Sequence, residues 1–320
     1  MARVISYNIL VGGKQRVEQL AGMLSARQPD IIGLVEATDE EVVRSLAEQL
    51  GMDYQLSGRG QSRMRLQAAV LSRLPIRSTW AYTTEIIKRQ PLFEVQIEEP
   101  DGSLLTVFMI HLTPEFSQGW RANLKRRREV QEALRLMAPR KGTPHLLMGD
   151  FNAIAPGDRV RGSDFVRYVT DERLYRQLIP SKSNSLPGLS LVLPRRLRFL
   201  QPALRIIPRS MLLSFVLDRL DRVYAPRGGL GLLIRAGYVD CFRRLHPKGL
   251  GFTWPSALPA GRIDYIFASP ELAPRLAESE TLREGDGVSG NLASDHLPVF
   301  AAFSVATCAS GGARSTPSEF

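Results

Sequence analysis

The sequence predicts an α/β protein whose sheets contain both parallel and antiparallel strands. The chain begins with strand, helix and strand patterns, an order typical of two parallel strands joined by a helix. Further along, two apolar segments flank the turn-forming residues 99–102 ("EPDG"), as in an antiparallel hairpin. At 320 residues, of which 44% are hydrophobic, the chain is long enough for a large core in one domain or two.

Apolar periodicity predicts the individual elements in chain order. Helical spacing indicates helices over residues 14–28, 39–51 and 118–138. Gly51 is expected to end the second helix, because glycine readily adopts the left-handed conformation found there. Short apolar segments indicate strands at 3–9, 30–36, 66–73, 93–99, 103–112 and 145–152. Strands and loops that complete the domain are expected at 237–247, 251–255, 262–269 and 296–305.

Residues 181–235 differ in composition from the rest of the chain. They contain five prolines and ten basic residues against two acidic ones, so they carry +8 of the total net charge of +10. We expect a basic insertion within a single domain of residues 1–305, followed by a disordered tail at 306–320. The charge favours polyanionic partners: nucleic acid, an anionic membrane surface or phosphorylated substrates. The alternative is that its leucines pack on the core and its arginines are simply solvated.

Several features favour a cytoplasmic protein, with peripheral attachment to a membrane as the alternative. Tyr7 and Asn8 interrupt the first apolar segment, which is unlike the apolar region of a signal peptide. No apolar stretch approaches the roughly 20 residues of a transmembrane helix. Cys241 and Cys308 lack metal-ligand spacing, so neither a zinc site nor a disulfide framework is indicated.

Polar residues follow several predicted strands at the point where the apolar pattern ends. Each has an ordinary structural explanation, such as a helix cap or a hydrogen-bonded core residue. Together they form the kind of set that a rigid scaffold holds for chemistry on phosphates. These residues are Asn8, Glu36, His111, Asp150, Asn152, Asp264, Asp295 and His296. His145 and His246 are better explained as structural residues.

The motifs that contain these residues resemble those of the endonuclease, exonuclease and phosphatase superfamily. In family order they are "SYNI" (6–9), "GLVE" (33–36), "LSRLPI" (71–76), "IHL" (110–112), "GDFNA" (149–153), "RIDYIF" (262–267) and "SDH" (294–296). The superfamily includes pancreatic-type deoxyribonuclease, apurinic endonucleases, neutral sphingomyelinases and inositol polyphosphate phosphatases. The resemblance implies a deoxyribonuclease-like α/β (α+β) fold, a four-layer sandwich of two packed mixed β-sheets flanked by helices.

The resemblance also implies a role for each residue. Glu36 and Asp295 are the expected ligands of Mg²⁺, with Mn²⁺ as the alternative, and Asn8 supports the metal or phosphate contacts. Arg73 matches a phosphate-contacting arginine, although a surface role fits it equally well. His111 would protonate the leaving oxygen, and Asp150 and Asn152 would orient the water and the phosphate. His296, hydrogen-bonded to Asp264, would contact the phosphate or accept a proton from the attacking water. Either Asp150 or His296 could be the general base.

Three functions remain open at this level. The first is a magnesium-dependent phosphodiesterase that cleaves nucleic acid through attack by an activated water, with the basic insertion on the backbone. The second is a phospholipid, sphingomyelin or inositol-phosphate phosphoesterase at a membrane surface. The third, a non-catalytic binding module, is disfavoured because no acidic or histidine position of the set is lost. Leu10 and His111 differ from the acidic residue and tyrosine of apurinic endonucleases, which disfavours abasic-site cleavage.

Overall fold

Two six-stranded β-sheets pack face to face at the centre of the fold. The computed structural model describes residues 2–61, 65–114, 119–171, 173–174, 204–221 and 225–304. The strands are β1 (Ala2–Asn8), β2 (Ile31–Val35), β3 (Asp53–Leu56), β4 (Ala69–Ser72), β5 (Ile76–Tyr82), β6 (Leu92–Glu98), β7 (Leu104–His111), β8 (His145–Asp150), β9 (Val239–Asp240), β10 (Asp264–Ala268), β11 (Leu276–Thr281) and β14 (Val299–Phe303), while β12 (Glu284–Gly285) and β13 (Val288–Ser289) form a separate ribbon. The first sheet has the order β11-β14-β1-β2-β4-β3 and the second the order β5-β6-β7-β8-β10-β9.

Both sheets are mixed, as the sequence predicts. The β1–β2 pair and the β7–β8 pair are parallel. The β6–β7 hairpin is antiparallel, and the remaining pairs of both sheets are antiparallel as well. Within each parallel pair the carboxyl ends are adjacent, and a hydrogen bond between Asn8 at the end of β1 and Asp150 at the end of β8 shows that both pairs end at the same edge of the sandwich.

Helices cover the outer faces of the two sheets and complete four layers. The helices are α1 (Val17–Ser25), α2 (Glu40–Leu50), α3 (Trp120–Met137), α4 (Gly162–Thr170), α5 (Met211–Arg219), α6 (Leu230–Arg235), α7 (Cys241–Leu245) and α8 (Gly290–Ala293). Leu20 of α1 and Leu46 of α2 pack on the first sheet. Val130 of α3 and Leu233 of α6 pack on the second. Gly51 caps α2 in the left-handed conformation, as predicted.

A continuous apolar core joins the facing sides of the sheets. It includes Val4 and Ile31 from the first sheet and Met109 and Met148 from the second. Gly33 of β2 faces the ends of the Met109 and Met148 side chains, which a Cβ at this position would displace. The missing side chain lets both methionines pack closely against the first sheet.

Three sequence predictions differ from the structure. Residues 237–247 were expected as strand and loop, but they form β9 and then α7, whose first turn is capped when the Asp240 carboxylate accepts a hydrogen bond from the Arg243 amide. The short strand β3 and the edge strand β5 carry weak apolar patterns and were not predicted. Within the expected insertion, α6 belongs to the core through buried Leu230 and Leu233. The expected tail at 306–320 and residues 181–203 lie outside the described residues.

Candidate active site

One edge of the sandwich collects the polar residues that the sequence singles out. Asn8 ends β1, His111 ends β7 and Asp150 ends β8, with His111 and Asp150 paired directly across the parallel ladder. The antiparallel strand β10 begins at the same edge, and its first residue, Asp264, is paired with Asp150. All four side chains are buried. The strand order therefore brings groups that are far apart in sequence into one cluster.

Asp150 lies at the centre of this cluster. Its Oδ1 accepts a hydrogen bond of 2.8 Å from the Asn152 amide, and its Oδ2 accepts one of 3.0 Å from Nδ2 of Asn8. The same Oδ2 lies 3.5 Å from Nε2 of His111 and 3.8 Å from Nε2 of His296. Burial raises the pKa of Asp150 to about 7, helped by the Asp264 carboxylate and opposed by His296. A carboxyl group in this state can exchange a proton near neutral pH.

His296 is held in a fixed orientation by Asp264. Its Nδ1 lies 2.9 Å and 3.1 Å from the two carboxylate oxygens of Asp264, so Nε2 is directed towards Asp150 and towards Nδ2 of Asn8, 3.5 Å away. Burial alone would lower the pKa of His296, but the carboxylates of Asp264, Asp295 and Asp150 raise it well above its ordinary value. The surrounding negative charge thus favours the imidazolium form.

Glu36 and Asp295 lie at the border of the cluster, where Oε1 of Glu36 is 3.9 Å from Nε2 of His111. The Glu36 backbone has a φ of 59°, and its Oε2 accepts a hydrogen bond of 2.9 Å from the Val11 amide. Burial, followed by the Asp295 carboxylate, raises the pKa of Glu36. The Asp295 side chain is 20% exposed and approaches Nε2 of His296 only to 4.0 Å. The two carboxylates offer hard oxygen donors at the border of the cluster, which is the donor type that Mg²⁺ or Mn²⁺ requires.

A second group of potential metal ligands lies next to Glu36 and Asp295. Among the described residues, ligand atoms of Asp150, Asp264 and His296 lie within 4.8 Å of one another. However, Asp264 and His296 already bind each other through a hydrogen bond. Asn8 is also engaged, because its Oδ1 accepts a hydrogen bond of 3.0 Å from the Leu10 amide. The carboxylates with the greatest remaining capacity for a cation are therefore those of Glu36 and Asp295.

His111 and Asn152 are positioned by the loops that follow β7 and β8. Asn152 has a φ of 47°, and its Nδ2 donates a hydrogen bond of 3.0 Å to the carbonyl oxygen of Leu112, which ties the two loops together. His111 is buried and its Nδ1 has no hydrogen-bond partner within the described part of the chain. Burial, with Arg89 and His296, lowers the pKa of His111 well below its ordinary value. His111 is therefore a neutral imidazole close to Asp150.

Comparison with known proteins identifies the family of the chain. The model of the Endonuclease/Exonuclease/phosphatase family matches residues 5–296. The chain belongs to this family. The family relationship confirms the predicted membership and the prediction of a hydrolase that acts on phosphoric ester bonds. The sequence is 24% identical over 314 residues to exodeoxyribonuclease III of Haemophilus influenzae, covering 94% of this chain and 99% of that protein.

Solved structures of similar fold confirm the predicted sandwich. An AP endonuclease from Archaeoglobus fulgidus superposes with a TM-score of 0.58 and 15% identity, covering 95% of this chain and all of the other. The 3'-5' exonuclease NExo of Neisseria meningitidis gives a TM-score of 0.57 at 17% identity with the same coverage. A structure of NExo described as a 3' phosphatase bound to product DNA hairpin gives 0.56 at 18%, again covering 95% of this chain and all of the other.

Among the predicted site residues, Arg73 alone lies away from the cluster. Strand β4 is antiparallel to β2, with Ser72 opposite Ile31, so the residue after β4 lies at the amino end of β2. There Nε of Arg73 donates a hydrogen bond of 3.1 Å to the carbonyl oxygen of Pro29. The expected phosphate contact is therefore corrected to a structural one at the opposite edge. His145 and His246 are structural as expected, bonded to Thr143 and Ser279 respectively.

Trp254 is a residue of the site that the sequence did not single out. Its ring centroid lies 6.3 Å from that of His296. Trp254 also lines a cavity of about 330 Å³ with mainly apolar neighbours, including Phe165, Leu217 and Ile263. The adjacent Thr253 accepts hydrogen bonds at Oγ1 from the amides of Ile263 and Asp264 and so holds the start of β10. The aromatic residue in "FTWP" (252–255), which precedes the "RIDYIF" motif (262–267), was the available signal.

Proposed function

We propose that the protein is a Mg²⁺-dependent phosphodiesterase that hydrolyses nucleic acid through in-line attack by an activated water. The observation that carries the proposal is the position of Asp150. This one carboxylate contacts Asn8 and Asn152 and lies within 4 Å of both His111 and His296. Glu36 lies 3.9 Å from His111, and Asp295 lies 4.0 Å from His296. Nucleic acid as the substrate is supported by the similarity to exodeoxyribonuclease III and by the net charge of +10.

Glu36 and Asp295 would hold the metal ion, with Asn8 as a supporting residue. When bound, Mg²⁺ supplies positive charge that neutralises and orients the phosphate. Without a cation, burial and the neighbouring Asp295 raise the pKa of Glu36, which is the expected signature of a carboxylate placed for an external positive charge. Arg16 donates hydrogen bonds to the carbonyl oxygens of Ile9 and Leu10. These bonds hold the loop that lies beside Glu36.

Asp150 is the group that we assign to accept the proton of the attacking water. Its Oδ1 is fixed by the Asn152 amide, and burial raises its pKa towards neutrality, which suits a general base. His296 is better suited to contact the phosphate. The Asp264 carboxylate favours its charged form, so its Nε2 can donate a hydrogen bond to a phosphate oxygen. His111 is kept neutral by burial, so it would donate a hydrogen bond to the leaving oxygen rather than protonate it, and that oxygen would take its proton from solvent.

A second candidate function is hydrolysis of phospholipid or inositol phosphoesters. It is favoured by the cavity beside His296, which is lined by the apolar side chains of Trp254, Phe165 and Leu217. This cavity could receive the apolar part of a lipid as readily as a nucleobase. The binding-module alternative is not favoured, because a phosphate-binding surface would not require a buried histidine and aspartate pair directed at a second buried carboxylate.

A substrate panel tests the proposal. The purified chain is incubated, with Mg²⁺ and with a chelator, with supercoiled plasmid, single-stranded RNA, duplex DNA carrying a 3'-phosphate, phospholipid vesicles and an inositol polyphosphate. We expect Mg²⁺-dependent cleavage of nucleic acid that is lost in His296→Ala. Turnover of lipid or inositol substrates alone would replace the nuclease with the second candidate. Absence of turnover on every substrate would contradict both.

A further inference from the structure

Helix α5 exposes apolar side chains around much of its surface, although polar contacts attach it to the protein. Met211 is 91% exposed, Leu212 is 70% exposed and Phe215 is 57% exposed, and Ile206 in the preceding turn is 56% exposed. Leu213, Val216 and Leu220 add further exposed apolar surface. Surface helices of globular proteins normally show the opposite arrangement, with the apolar side on the core. A contiguous exposed patch of this kind usually marks an interaction surface.

The inward side of α5 is firmly attached to the domain by polar contacts. The Asp218 carboxylate accepts hydrogen bonds from the amide and the hydroxyl of Ser163, at 2.8 Å and 2.9 Å, in the first turn of α4. Asp221, directly after the helix, accepts a hydrogen bond of 3.0 Å from the Val160 amide. Asp218 and Asp221, the two acidic residues of the segment, are thus used for attachment. The exposed apolar side is therefore held in place by the rest of the fold.

Arginines surround the apolar patch. An open cavity of about 620 Å³ beside α4 and the turn before α5 is lined by Arg167, Arg173, Arg205 and Arg209. Asp171 is the one acidic residue in this lining, and its Oδ1 accepts a hydrogen bond from the Arg173 amide. The guanidinium of Arg219 lies over the exposed ring of Phe215, with 5.0 Å between its central carbon and the ring centroid. The patch thus combines outward apolar side chains with positive charge at its margins.

We propose that the face formed by Ile206, Met211, Leu212, Phe215 and the flanking arginines docks the protein on an anionic lipid bilayer. Apolar side chains would enter the boundary between headgroups and acyl chains, while the arginine-lined cavity binds lipid phosphates. Nucleic acid fits this face less well, because its backbone offers no apolar partner for exposed methionine and leucine. A second copy fits less well too, since the arginines at the margins would repel their equivalents. The attachment is peripheral, because no helix in the described part of the chain is long and apolar enough to cross a membrane.

Docking through this face would also orient the active site relative to the bilayer. Leu217 lies on the inner side of α5 and lines the apolar cavity that contains Trp254. Trp254 in turn lies beside His296. The apolar cavity and Trp254 therefore lie between the proposed lipid-binding surface and His296. This inference concerns attachment alone and does not depend on which phosphoester the enzyme cleaves.

Vesicle flotation of the full chain tests the proposal. The protein is mixed, in chelator to prevent hydrolysis, with vesicles of phosphatidylcholine alone or of phosphatidylcholine with phosphatidylglycerol. The apolar test variant is Met211→Gln/Leu212→Gln/Phe215→Gln, and its matched control is Leu104→Gln/Leu245→Gln/Leu250→Gln, three apolar residues that are exposed elsewhere. The charge variant is Arg167→Gln/Arg205→Gln/Arg209→Gln. All six test positions are solvent-exposed, so the variants should fold.

We expect the wild type and the control to float with the anionic vesicles. Both test variants should bind at least about 100-fold more weakly, since three buried apolar groups or three phosphate-paired arginines are removed. The proposal is overturned if the wild type does not float, or if the apolar variant floats as well as the control. It is also overturned if the patch mutations abolish binding to duplex DNA or self-association in sedimentation while flotation is unchanged. Loss of flotation with intact hydrolysis of a soluble substrate would support docking independently of the proposed catalytic function.

Discussion

The two ends of the same sandwich hold buried polar residues in very different states. At the end where β1, β2, β7 and β8 finish, Asp150 and Glu36 have raised pKa values, and Nδ1 of His111 has no hydrogen-bond partner among the described residues. At the end where β2 and β8 begin, His145 is bonded at both nitrogens, with 2.7 Å to the Thr143 carbonyl oxygen and 2.7 Å to the Tyr238 hydroxyl. Asp30 accepts a hydrogen bond from the Arg3 amide at this second end.

The difference separates structural polar groups from those kept for a ligand. Buried polar groups that satisfy one another stabilise the fold and leave nothing for an external molecule. Groups whose charges remain unbalanced cost stability, and such groups concentrate where a substrate or metal ion completes the set. Substitutions at the two ends should therefore have opposite effects on activity and stability.

The largest expected effect is on catalysis at the carboxyl ends of the strands. His296→Ala removes the imidazole that faces Asp150 and should lower the hydrolysis rate about 10²–10⁴-fold. His145→Gln, at the other end, should leave the rate unchanged while it lowers the unfolding temperature, because it breaks the bonds to Thr143 and Tyr238. Steady-state hydrolysis and thermal unfolding of both variants check this contrast. A strong rate loss in His145→Gln would remove the distinction between the two ends.

Next in size is the effect of metal on stability. Mg²⁺ at 100 times its dissociation constant should stabilise the wild type by about 2.7 kcal/mol. Glu36→Gln should lose most of this gain, yet unfold no earlier than the wild type in chelator, because it removes a carboxylate whose pKa is raised by burial and by Asp295. Thermal unfolding with and without Mg²⁺ provides the measurement. Equal Mg²⁺ stabilisation of wild type and variant would place the metal elsewhere.

A smaller effect is expected at Arg73. Arg73→Ala removes one hydrogen bond to Pro29 at the far end of the sandwich, so the free energy of unfolding should fall by about 1 kcal/mol with no change in hydrolysis. Urea unfolding and steady-state kinetics measure the two quantities. A tenfold increase in KM for a phosphodiester would restore the phosphate-binding role that its motif suggested.

The smallest effect is a pH dependence that distinguishes His145 from His296. Burial lowers the pKa of His145, so below its ordinary value of 6.5 the unfolded chain binds the proton more readily than the folded one. Stability contributed by His145 is therefore present above pH 6.5 and is lost as the pH falls further. The raised pKa of His296 has the opposite sign, because its contribution is lost as the pH rises through the folded-state pKa. Unfolding in chelator at pH 7.5 and 5.5, for wild type and His145→Gln, should show a smaller acid loss in the variant.

Sequence patterns predicted the site better than they predicted the surface around it. Asn8, His111 and Asp150 could be placed together because each ends a strand whose apolar pattern is strong. Arg73 was misplaced because the motif gives no strand direction, and antiparallel β4 carries its end away from the site. Trp254 was overlooked because its role depends on a loop that folds back beside His296, which no local periodicity records.

The exposed side of α5 lay equally beyond prediction. Its apolar residues could have packed on the core, and only the hydrogen bonds of Asp218 and Asp221 reveal which side faces inward. Local composition fixes the charge and apolarity of such a segment but not its orientation, which depends on tertiary contacts.

The central claim, that Asp150 is the catalytic centre of a phosphodiesterase, is tested most directly by Asp150→Asn. The rate of Mg²⁺-dependent cleavage of an end-labelled DNA duplex should be measured at saturating substrate for variant and wild type, with folding verified by thermal unfolding. We expect at least an about 100-fold lower kcat in the variant, because the amide cannot accept the proton of the attacking water. Cleavage by a folded Asp150→Asn protein at the wild-type rate would contradict the claim.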